Sequence, residues 1–155
     1  MKGKFSEGSA LSFAGLSNEH LKEVKLEITS QESTFFTALD DLEVITERIK
    51  IANQDHYLAI YFKEQFIGIL FARGLDEGYD DMRLAIYILR KFRGKGFGSE
   101  SISLFIQRQR MNGCQSKISV KVNRLNQVAL ATYKKIGFKF CSPHGDQSDF
   151  FLMHE

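Results

Sequence analysis

The sequence changes from strand to helix across a glycine-rich basic segment, and this feature constrains the fold more than any other. Residues Met82–Leu89 are branched and aromatic, as in a β-strand. The segment Arg90–Gly98 follows, and the residues after it carry apolar side chains at helical spacing up to Asn112-Gly113. A strand that leads through a glycine turn into a helix is a unit of mixed α/β folds, in which the strands flanking the helix can lie parallel.

The glycine segment itself predicts an anion site. Its central part reads Arg93-Gly94-Lys95-Gly96-Phe97-Gly98. At the start of a helix, backbone N–H groups and the helix dipole favour a bound anion, and phosphate is the expected one. Glycine lets ligand oxygens approach the backbone, while Arg93 and Lys95 add positive charge. A merely tight turn is the alternative interpretation, but such a turn does not require three glycines interleaved with two cations.

Two common phosphate motifs do not fit this segment. A Walker A loop needs a Ser or Thr after its Gly-Lys pair, but here Gly96 follows Lys95. The dinucleotide fingerprint needs a glycine where Ser99 stands, and the next strand, Ile118–Val122, does not end in an acidic residue that could bind a ribose. A phosphate-anchored nucleotide-binding domain is therefore kept only as an alternative.

The rest of the chain completes a mixed α/β pattern in one domain. With 155 residues the chain is long enough for one ordinary domain, 1–155, of which 1–8 is expected to be a disordered tail. Further strands are predicted at Leu11–Leu16, Tyr57–Phe62, Phe66–Ala72, Lys117–Val122, Phe138–Cys141 and Phe150–Met153. Helices are predicted after Ser17, from Thr29 to about Ala52, and over Asn126–Ile136 with Val128, Leu130, Ala131 and Tyr133 as apolar residues.

Two motifs in this chain have the residues and spacing of one known enzyme family. That family's signature is an Arg or Gln, two residues, a Gly, one residue, and a Gly or Ala, and it is met by Arg93, Gly96 and Gly98. Farther along, the family has an Asn, a small residue, a Tyr and a Gly-Phe pair. This chain keeps that order and spacing with Asn126, Ala129, Tyr133 and Gly137-Phe138. Through these two motifs the chain resembles the GNAT family of N-acetyltransferases, and the resemblance covers about Tyr57 to Phe140.

The resemblance implies a fold and a co-substrate. The expected fold is a mixed α/β (α+β) sheet of about six or seven strands with helices on both faces, whose fourth and fifth strands diverge to admit acetyl-CoA. By this analogy the backbone of the fourth strand would pair with the pantetheine arm, the glycine segment would hold the pyrophosphate, and an Asn would contact the CoA arm. The implied cofactor-binding residues are Ile86, Tyr87, Ile88, Arg93, Gly94, Lys95, Gly96, Phe97, Gly98, Ser99 and Asn126.

The resemblance also implies the chemistry. A neutral primary amine would attack the thioester directly, with no acyl-enzyme, and Tyr133 matches the usual acid that protonates the leaving thiolate. The alternative is that Tyr133 is only a helix tyrosine packed on the core. The amine acceptor could be a small molecule, an amino sugar or a protein N-terminus, and its choice would depend on about His20–Asn53 and Ser142–Asp149.

No general base can be assigned from the sequence. Some relatives place a Glu on the fifth strand, five residues before the Asn, but Lys121 stands there. Several titratable side chains stay open as candidates, acting directly or through water: His56, Tyr87, Asp80 and Asp81. The missing base leaves a second hypothesis open, a non-catalytic acyl-CoA-binding or sensor module.

Composition excludes several other functions. The 21 Lys and Arg against 19 Asp and Glu give a net charge of +2, which does not favour nucleic acid as a partner. The two cysteines, Cys114 and Cys141, provide neither a disulfide framework nor metal-ligand spacing. The apolar runs are shorter than a membrane span of about 20 residues, so we expect a cytoplasmic protein. An edge strand within Phe138–Met153 would be compatible with a homodimer.

Overall fold

One seven-stranded sheet organises the protein. The computed structural model describes residues 10–28, 42–51, 54–74, 78, 81–141 and 149–154. The strands are β1 (Leu11–Gly15), β2 (Tyr57–Phe62), β3 (Gln65–Arg73), β4 (Met82–Ile88), β5 (Ile118–Asn123), β6 (Lys139–Cys141) and β7 (Asp149–His154). The helices are α1 (Asn18–Glu27), α2 (Leu42–Arg48), α3 (Phe97–Met111) and α4 (Gln127–Ile136), and short 3₁₀ turns cover Gln54–His56 and Arg90–Phe92. The predicted mixed α/β fold is confirmed.

The first four strands form an antiparallel meander. The sheet order is β1-β2-β3-β4-β5-β7-β6, and the pairs from β1 to β4 are all antiparallel. The β2–β3 hairpin closes through Lys63 and Glu64, whose φ angles of 48° and 70° are those of a type I′ turn. This turn matches the right-handed twist of the two strands, which explains why two residues other than glycine adopt left-handed backbone there.

The second half of the sheet is mixed. β4 pairs with β5 in parallel, as predicted, and helix α3 connects them. β7 pairs antiparallel with β5 on one side and with β6 on the other. β6 therefore lies at the edge of the sheet, although α4 and β6 follow β5 directly in the chain.

Each face of the sheet carries its own core. One face buries Met82 and Leu84 of β4 against α3 and α4, through residues such as Phe105 and Leu130. The other face packs Ala85 and Tyr87 of β4 against the first two helices, a group that includes Leu21, Val24, Leu42 and Ile45. This alternation along β4 is the period-two pattern of a strand buried on both sides.

The N-terminus of α1 has a His-containing cap. The Ser17 N–H donates to His20 Nδ1 at 3.1 Å, so this nitrogen is an acceptor. The other ring nitrogen, Nε2, then carries the proton and donates it to the Tyr61 hydroxyl at 2.8 Å. The arrangement resembles a capping box, with His in place of the usual Glu or Gln.

Three predicted features differ from the structure or lie outside it. The predicted helix to about Ala52 ends at Arg48, because the N–H groups of Lys50 and Ile51 bond to carbonyls three residues back and tighten the chain into a turn. In α4, Val128, one of the apolar residues of the predicted helix, is 79% exposed. The predicted tail, the start of the second helix and the candidate base Asp80 lie outside the described residues. None of the described helices is long and apolar enough to cross a membrane.

Candidate functional site

β4 and β5 are paired at one end and apart at the other. Among the described residues their parallel register contains only the pairs Met82 with Ile118 and Arg83 with Ser119. β4 stays bonded to β3 over its whole remaining length, up to Ile88. An open strand edge in the middle of the sheet results. It runs from Leu84 to Ile88 and is about 13 Å long at the usual rise per residue.

The backbone alternation fixes which groups face this open edge. The Met82 N–H donates to Lys117 O on the β5 side, at 2.9 Å, whereas the Leu89 N–H donates to Ile67 O on the β3 side, at 2.8 Å. Because successive residues of a strand direct their N–H and C=O groups to opposite neighbours, the groups of Leu84, Ile86 and Ile88 point toward the gap. The backbone of Tyr87 points toward β3, so within the predicted trio only Ile86 and Ile88 offer backbone groups to a ligand.

The glycine segment lies directly beyond this edge. Gly94 and Gly96 have φ angles of 77° and 83°, in the left-handed region that glycine adopts without strain. Gly96 is the N-cap of α3, and the first helical bond runs from the Glu100 N–H to the Gly96 carbonyl. The N–H groups of residues 97 to 99 are therefore not used inside the helix and can bind an anion. A Cβ built on Gly94 or Gly96 meets no protein atom within 4 Å, so the space around the turn is open.

Arg93 does not extend freely from this segment. Its Nε–H donates to the carbonyl of Ile88 at 2.8 Å, and its guanidinium carbon lies 4.9 Å from the centre of the Tyr87 ring. A terminal nitrogen is also 4.0 Å from Glu27 Oε2. Much of this side chain is thus committed to the protein, which the sequence did not indicate.

Glu27 is a site residue that the sequence reasoning missed. Its Oε2 accepts from the Tyr87 hydroxyl and from the Arg90 N–H, both at 2.8 Å. The Arg90 guanidinium in turn donates to the Glu27 backbone carbonyl. One signal was available in the sequence. A carboxylate in the last turn of a helix interacts unfavourably with the helix dipole, so its presence indicates a role outside the helix.

Asn126 is the N-cap of α4. Its Oδ1 accepts from the Ala129 N–H at 3.2 Å, and its own N–H donates to the Asn123 carbonyl at 2.9 Å. The cap uses only the side-chain oxygen, and the side-chain NH₂ donates to none of the described residues. An Asn is therefore needed for the helix start, and its NH₂ is available to a ligand.

Tyr133 lies in the core beneath α4. It is 8% exposed, and its ring meets the Phe138 ring edge-on at a centroid distance of 5.3 Å. Burial raises the pKa of Tyr133 well above its usual range, because the charged phenolate would lose its hydration. The hydroxyl is hydrogen-bonded to no described residue. The phenol therefore stays protonated at neutral pH.

The candidate bases lie away from the open edge or are otherwise engaged. His56 precedes β2, which is separated from the gap by β3 and β4. Asp81 lies at the paired end, where its Oδ2 accepts from the Ser119 hydroxyl at 3.1 Å. The hydroxyl of Tyr87 donates to Glu27, and Asp80 is outside the described residues. Lys121 is exposed on β5, where some relatives would have a Glu.

The described part of the chain contains no group of three or more His, Cys, Asp or Glu side chains that could hold a metal ion. Cys114 and Cys141 are half-buried, and neither forms a disulfide. The features that remain for chemistry are the open edge of β4, the glycine segment, Asn126 and Tyr133.

A family model described as "Acetyltransferase (GNAT) family" matches residues 21–138. No curated protein shows significant sequence similarity to the chain. Similar solved structures include an acetyltransferase from Agrobacterium tumefaciens, with TM-score 0.76, 16% identity, and coverage of 94% of this chain and 90% of that chain. PaiA N-acetyltransferase from Thermoplasma acidophilum in complex with coenzyme A has TM-score 0.69 and 18% identity over 94% and 98% of the two chains. RimL, a ribosomal-protein alpha-N-acetyltransferase in complex with coenzyme A, has TM-score 0.66 and 14% identity over 94% and 93%.

Proposed function

Because the chain belongs to the GNAT acetyltransferase family, which uses acetyl-CoA, we propose that it transfers an acetyl group from acetyl-CoA directly to a primary amine. The observation that carries this proposal is the continuity of two features. The open edge of β4 ends at Ile88, and the central part of the glycine segment, Arg93–Gly98, which leads to the free N–H groups of α3, begins five residues later. An extended arm that ends in a pyrophosphate fits such a pair of sites.

The strand edge would bind the pantetheine arm. The backbone groups of Ile86 would exchange hydrogen bonds with its amides, as an added strand does, and the N–H of Ile88 would contribute as well. The NH₂ of Asn126 is placed at the start of α4, at the end of the diverging β5, and would donate to the same arm.

The glycine segment would bind the pyrophosphate. The N–H groups of Phe97, Gly98 and Ser99 are the donors, and the positive end of the α3 dipole adds to their effect. Gly94 and Gly96 give the turn its shape without strain, and Lys95 supplies a mobile positive charge. Arg93 belongs to the same segment, although its Nε is bonded to Ile88.

The reaction would need little from the side chains. A bond forms between the amine nitrogen and the acetyl carbon, the bond from that carbon to sulfur breaks, and the sulfur leaves as a thiolate. Tyr133 holds a proton at neutral pH, because burial raises the pKa of the phenol, and it would pass this proton to the thiolate and regain one from solvent. The amine would enter as the neutral free base and release its proton to solvent, because no described carboxylate or imidazole lies along the open edge.

The acceptor is a primary amine of a small molecule, an amino sugar or a protein N-terminus. RimL is named an alpha-N-protein acetyltransferase, but a likeness at 14% identity supports only the shared fold. The whole chain would act as a single domain in the cytoplasm, with no nucleic-acid or membrane partner, and a homodimer is compatible with the edge position of β6.

A second candidate function is a non-catalytic acyl-CoA-binding module. The observation that favours it is Lys121, which stands where some relatives carry a carboxylate. Such a module would bind acetyl-CoA through the same edge and loop, and transfer nothing.

The first test is the thermal midpoint of the protein with and without acetyl-CoA, beside ATP and NAD. At 100 times its dissociation constant a ligand adds about 2.7 kcal/mol to the stability of the folded state. We expect a dose-dependent rise with acetyl-CoA alone, followed by thiol release in a screen of primary amines. A rise without thiol release from any amine would support the binding module, and no rise at millimolar acetyl-CoA would refute both functions.

A further inference from the structure

We propose that Glu27 is a positioning residue that fixes the start of the glycine segment for acetyl-CoA. This inference rests on the proposed function and deepens it. Glu27 is the last residue of α1, so it would act from the helix layer across to a loop that begins 63 positions later in the sequence at Arg90. It is not a catalytic residue, because its carboxylate contacts the side chain of Tyr87, a residue of β4 that does not face the gap.

Glu27 and Arg90 cap each other's backbone. The Glu27 carboxylate accepts from the Arg90 N–H at 2.8 Å, at the first residue of the 3₁₀ turn that leads into the glycine segment. The Arg90 guanidinium donates to the Glu27 carbonyl, which is one of the orphan acceptors at the end of α1. Each residue therefore satisfies a backbone group of the other, and the two segments cannot separate without breaking both contacts.

The same carboxylate also orders the side chains around Arg93. It accepts from the Tyr87 hydroxyl at 2.8 Å, and the Tyr87 ring lies beneath the Arg93 guanidinium at 4.9 Å. Arg93 is 4.0 Å from Glu27 Oε2 and bonds to the gap-facing carbonyl of Ile88. Glu27 thus contacts the loop at two points, the backbone N–H of Arg90 and the guanidinium of Arg93.

The surroundings support a specific role for the negative charge. The Glu27 side chain is 25% exposed and that of Arg93 is 33% exposed, so solvent screens their attraction only in part. Glu27 also sits at the negative end of the α1 dipole, where a carboxylate is unfavourable for the helix itself. A Gln there would suit the helix better and would still accept a hydrogen bond, so the charge is explained by its two Arg neighbours.

The experiment compares the dissociation constant of acetyl-CoA, measured by titration calorimetry well below the unfolding temperature, among four proteins. These are the unaltered chain, Glu27→Ala, Glu27→Gln and the control Glu23→Ala, which changes an exposed carboxylate one turn earlier on α1. We expect about a tenfold weaker binding for Glu27→Ala, since the loop that aligns the donors loses its anchor. Glu27→Gln should fall between Glu27→Ala and the unaltered chain, and Glu23→Ala should bind normally.

The thermal midpoint without ligand separates positioning from stability. A lower midpoint in Glu27→Ala with an unchanged dissociation constant would mean that Glu27 only stabilises the fold, and would overturn the inference. Tighter binding would overturn it as well, because it would show that Glu27 competes with phosphate for Arg93. If Glu27→Ala fails to fold, Glu27→Gln decides, and unaltered affinity in that variant refutes a role for the charge. Failure of the proposed function is recognised separately, because the unaltered chain itself would then not bind acetyl-CoA.

Discussion

The Nε–H of Arg93 donates to the carbonyl oxygen of Ile88 at 2.8 Å, on the edge of β4 that faces the gap. Continued pairing with β5 would place a backbone N–H at this carbonyl instead. The Arg93 side chain therefore satisfies an acceptor at the point where the two strands have already parted, and it contributes to keeping them apart.

The contact between Arg93 and Ile88 predicts that Lys cannot replace Arg at position 93. A Lys at position 93 keeps the charge but cannot reproduce the Nε–H geometry or the stacking on Tyr87. We expect Arg93→Lys to weaken acetyl-CoA binding about as much as Arg93→Ala does, as measured by titration calorimetry. Lys91→Ala is the control, because Lys91 is exposed nearby. Near-normal binding by Arg93→Lys would mean that only the charge matters.

Gly68 is expected to be essential for the contact between β3 and β4. A Cβ at this position would lie 2.4 Å from the Tyr87 carbonyl oxygen and 3.1 Å from the Ile88 Cα, both of which are backbone atoms. Gly68→Ala should lower the free energy of unfolding by about 1–3 kcal/mol in urea denaturation, since the strands must move apart.

Gly98→Ala provides the matched comparison for Gly68. Its Cβ would meet only Ile88 Cγ1, at an ordinary distance of 3.7 Å, and residue 98 is helical. This variant should be stabilised by about 0.5–1 kcal/mol, as is usual for Ala over Gly in a helix. Equal stability of the two variants would contradict the close approach at Gly68.

Tyr133→Phe should separate binding from turnover. The hydroxyl makes no hydrogen bond to a described residue, so its loss should change the free energy of unfolding by less than about 0.5 kcal/mol. Acetyl-CoA should bind normally, and kcat should fall by a factor on the order of 100 with the best amine of the screen.

The pH profile of the unaltered chain adds a second readout for Tyr133. Burial raises the pKa of this phenol above its usual range, so kcat should not decline on the alkaline side up to about pH 10. Unchanged turnover in Tyr133→Phe would remove the acid role and leave Tyr133 as a core residue.

His20 should make stability depend on pH. Burial lowers the pKa of His20 below its ordinary 6.5, although Glu23 and Glu19 partly oppose this effect. The folded state thus favours the neutral ring, which accepts the Ser17 N–H. Its contribution should be complete above about pH 6.5 and should decline as pH falls through the lower pKa of the folded state.

Urea denaturation of His20→Gln between about pH 5 and pH 8 checks this prediction. A Gln at the third helical position can accept from the Ser17 N–H but does not titrate. The difference in unfolding free energy between the two proteins should therefore change with pH in the stated direction. A constant difference would show that His20 does not titrate differently in the folded and unfolded states.

Local patterns predicted most of the secondary structure, because each element carries its own signal. The branched run of β4, the glycine turn and the apolar face of α3 all appear where the sequence placed them, within one or two residues. Val128, one of the apolar residues of α4, is 79% exposed, since periodicity over 10 residues does not fix which side of the helix meets the sheet. The end of α2 was misjudged for a similar reason, because Ile51 is 77% exposed and provides no buried contact to extend the helix.

Contacts between distant parts of the chain could not be predicted. Glu27 contacts Tyr87 and Arg90, which lie 60 and 63 positions later in the chain, and nothing near Glu27 in the sequence predicts these contacts. The glycine segment was recognisable because its donors are backbone groups, whose position follows from the local motif alone. The hydrogen bond from Arg93 to Ile88 could not be predicted, since it depends on how the loop folds back on β4.

The position of β7 between β5 and β6 has a consequence for the order of folding. β6 and β7 are consecutive in the chain and can pair locally, whereas β7 reaches β5 only across the residues of α4 and β6. The β2–β3, β3–β4 and β6–β7 pairs join consecutive strands through short connections, whereas pairing of β7 with β5 must bridge α4 and β6 and is therefore slower. Until it occurs, β5 offers an unpaired apolar edge to other chains. We expect hydrogen-exchange protection at the β5–β7 pairing to develop after that of the β2–β3 and β3–β4 hairpins during refolding, and aggregation to compete at that step.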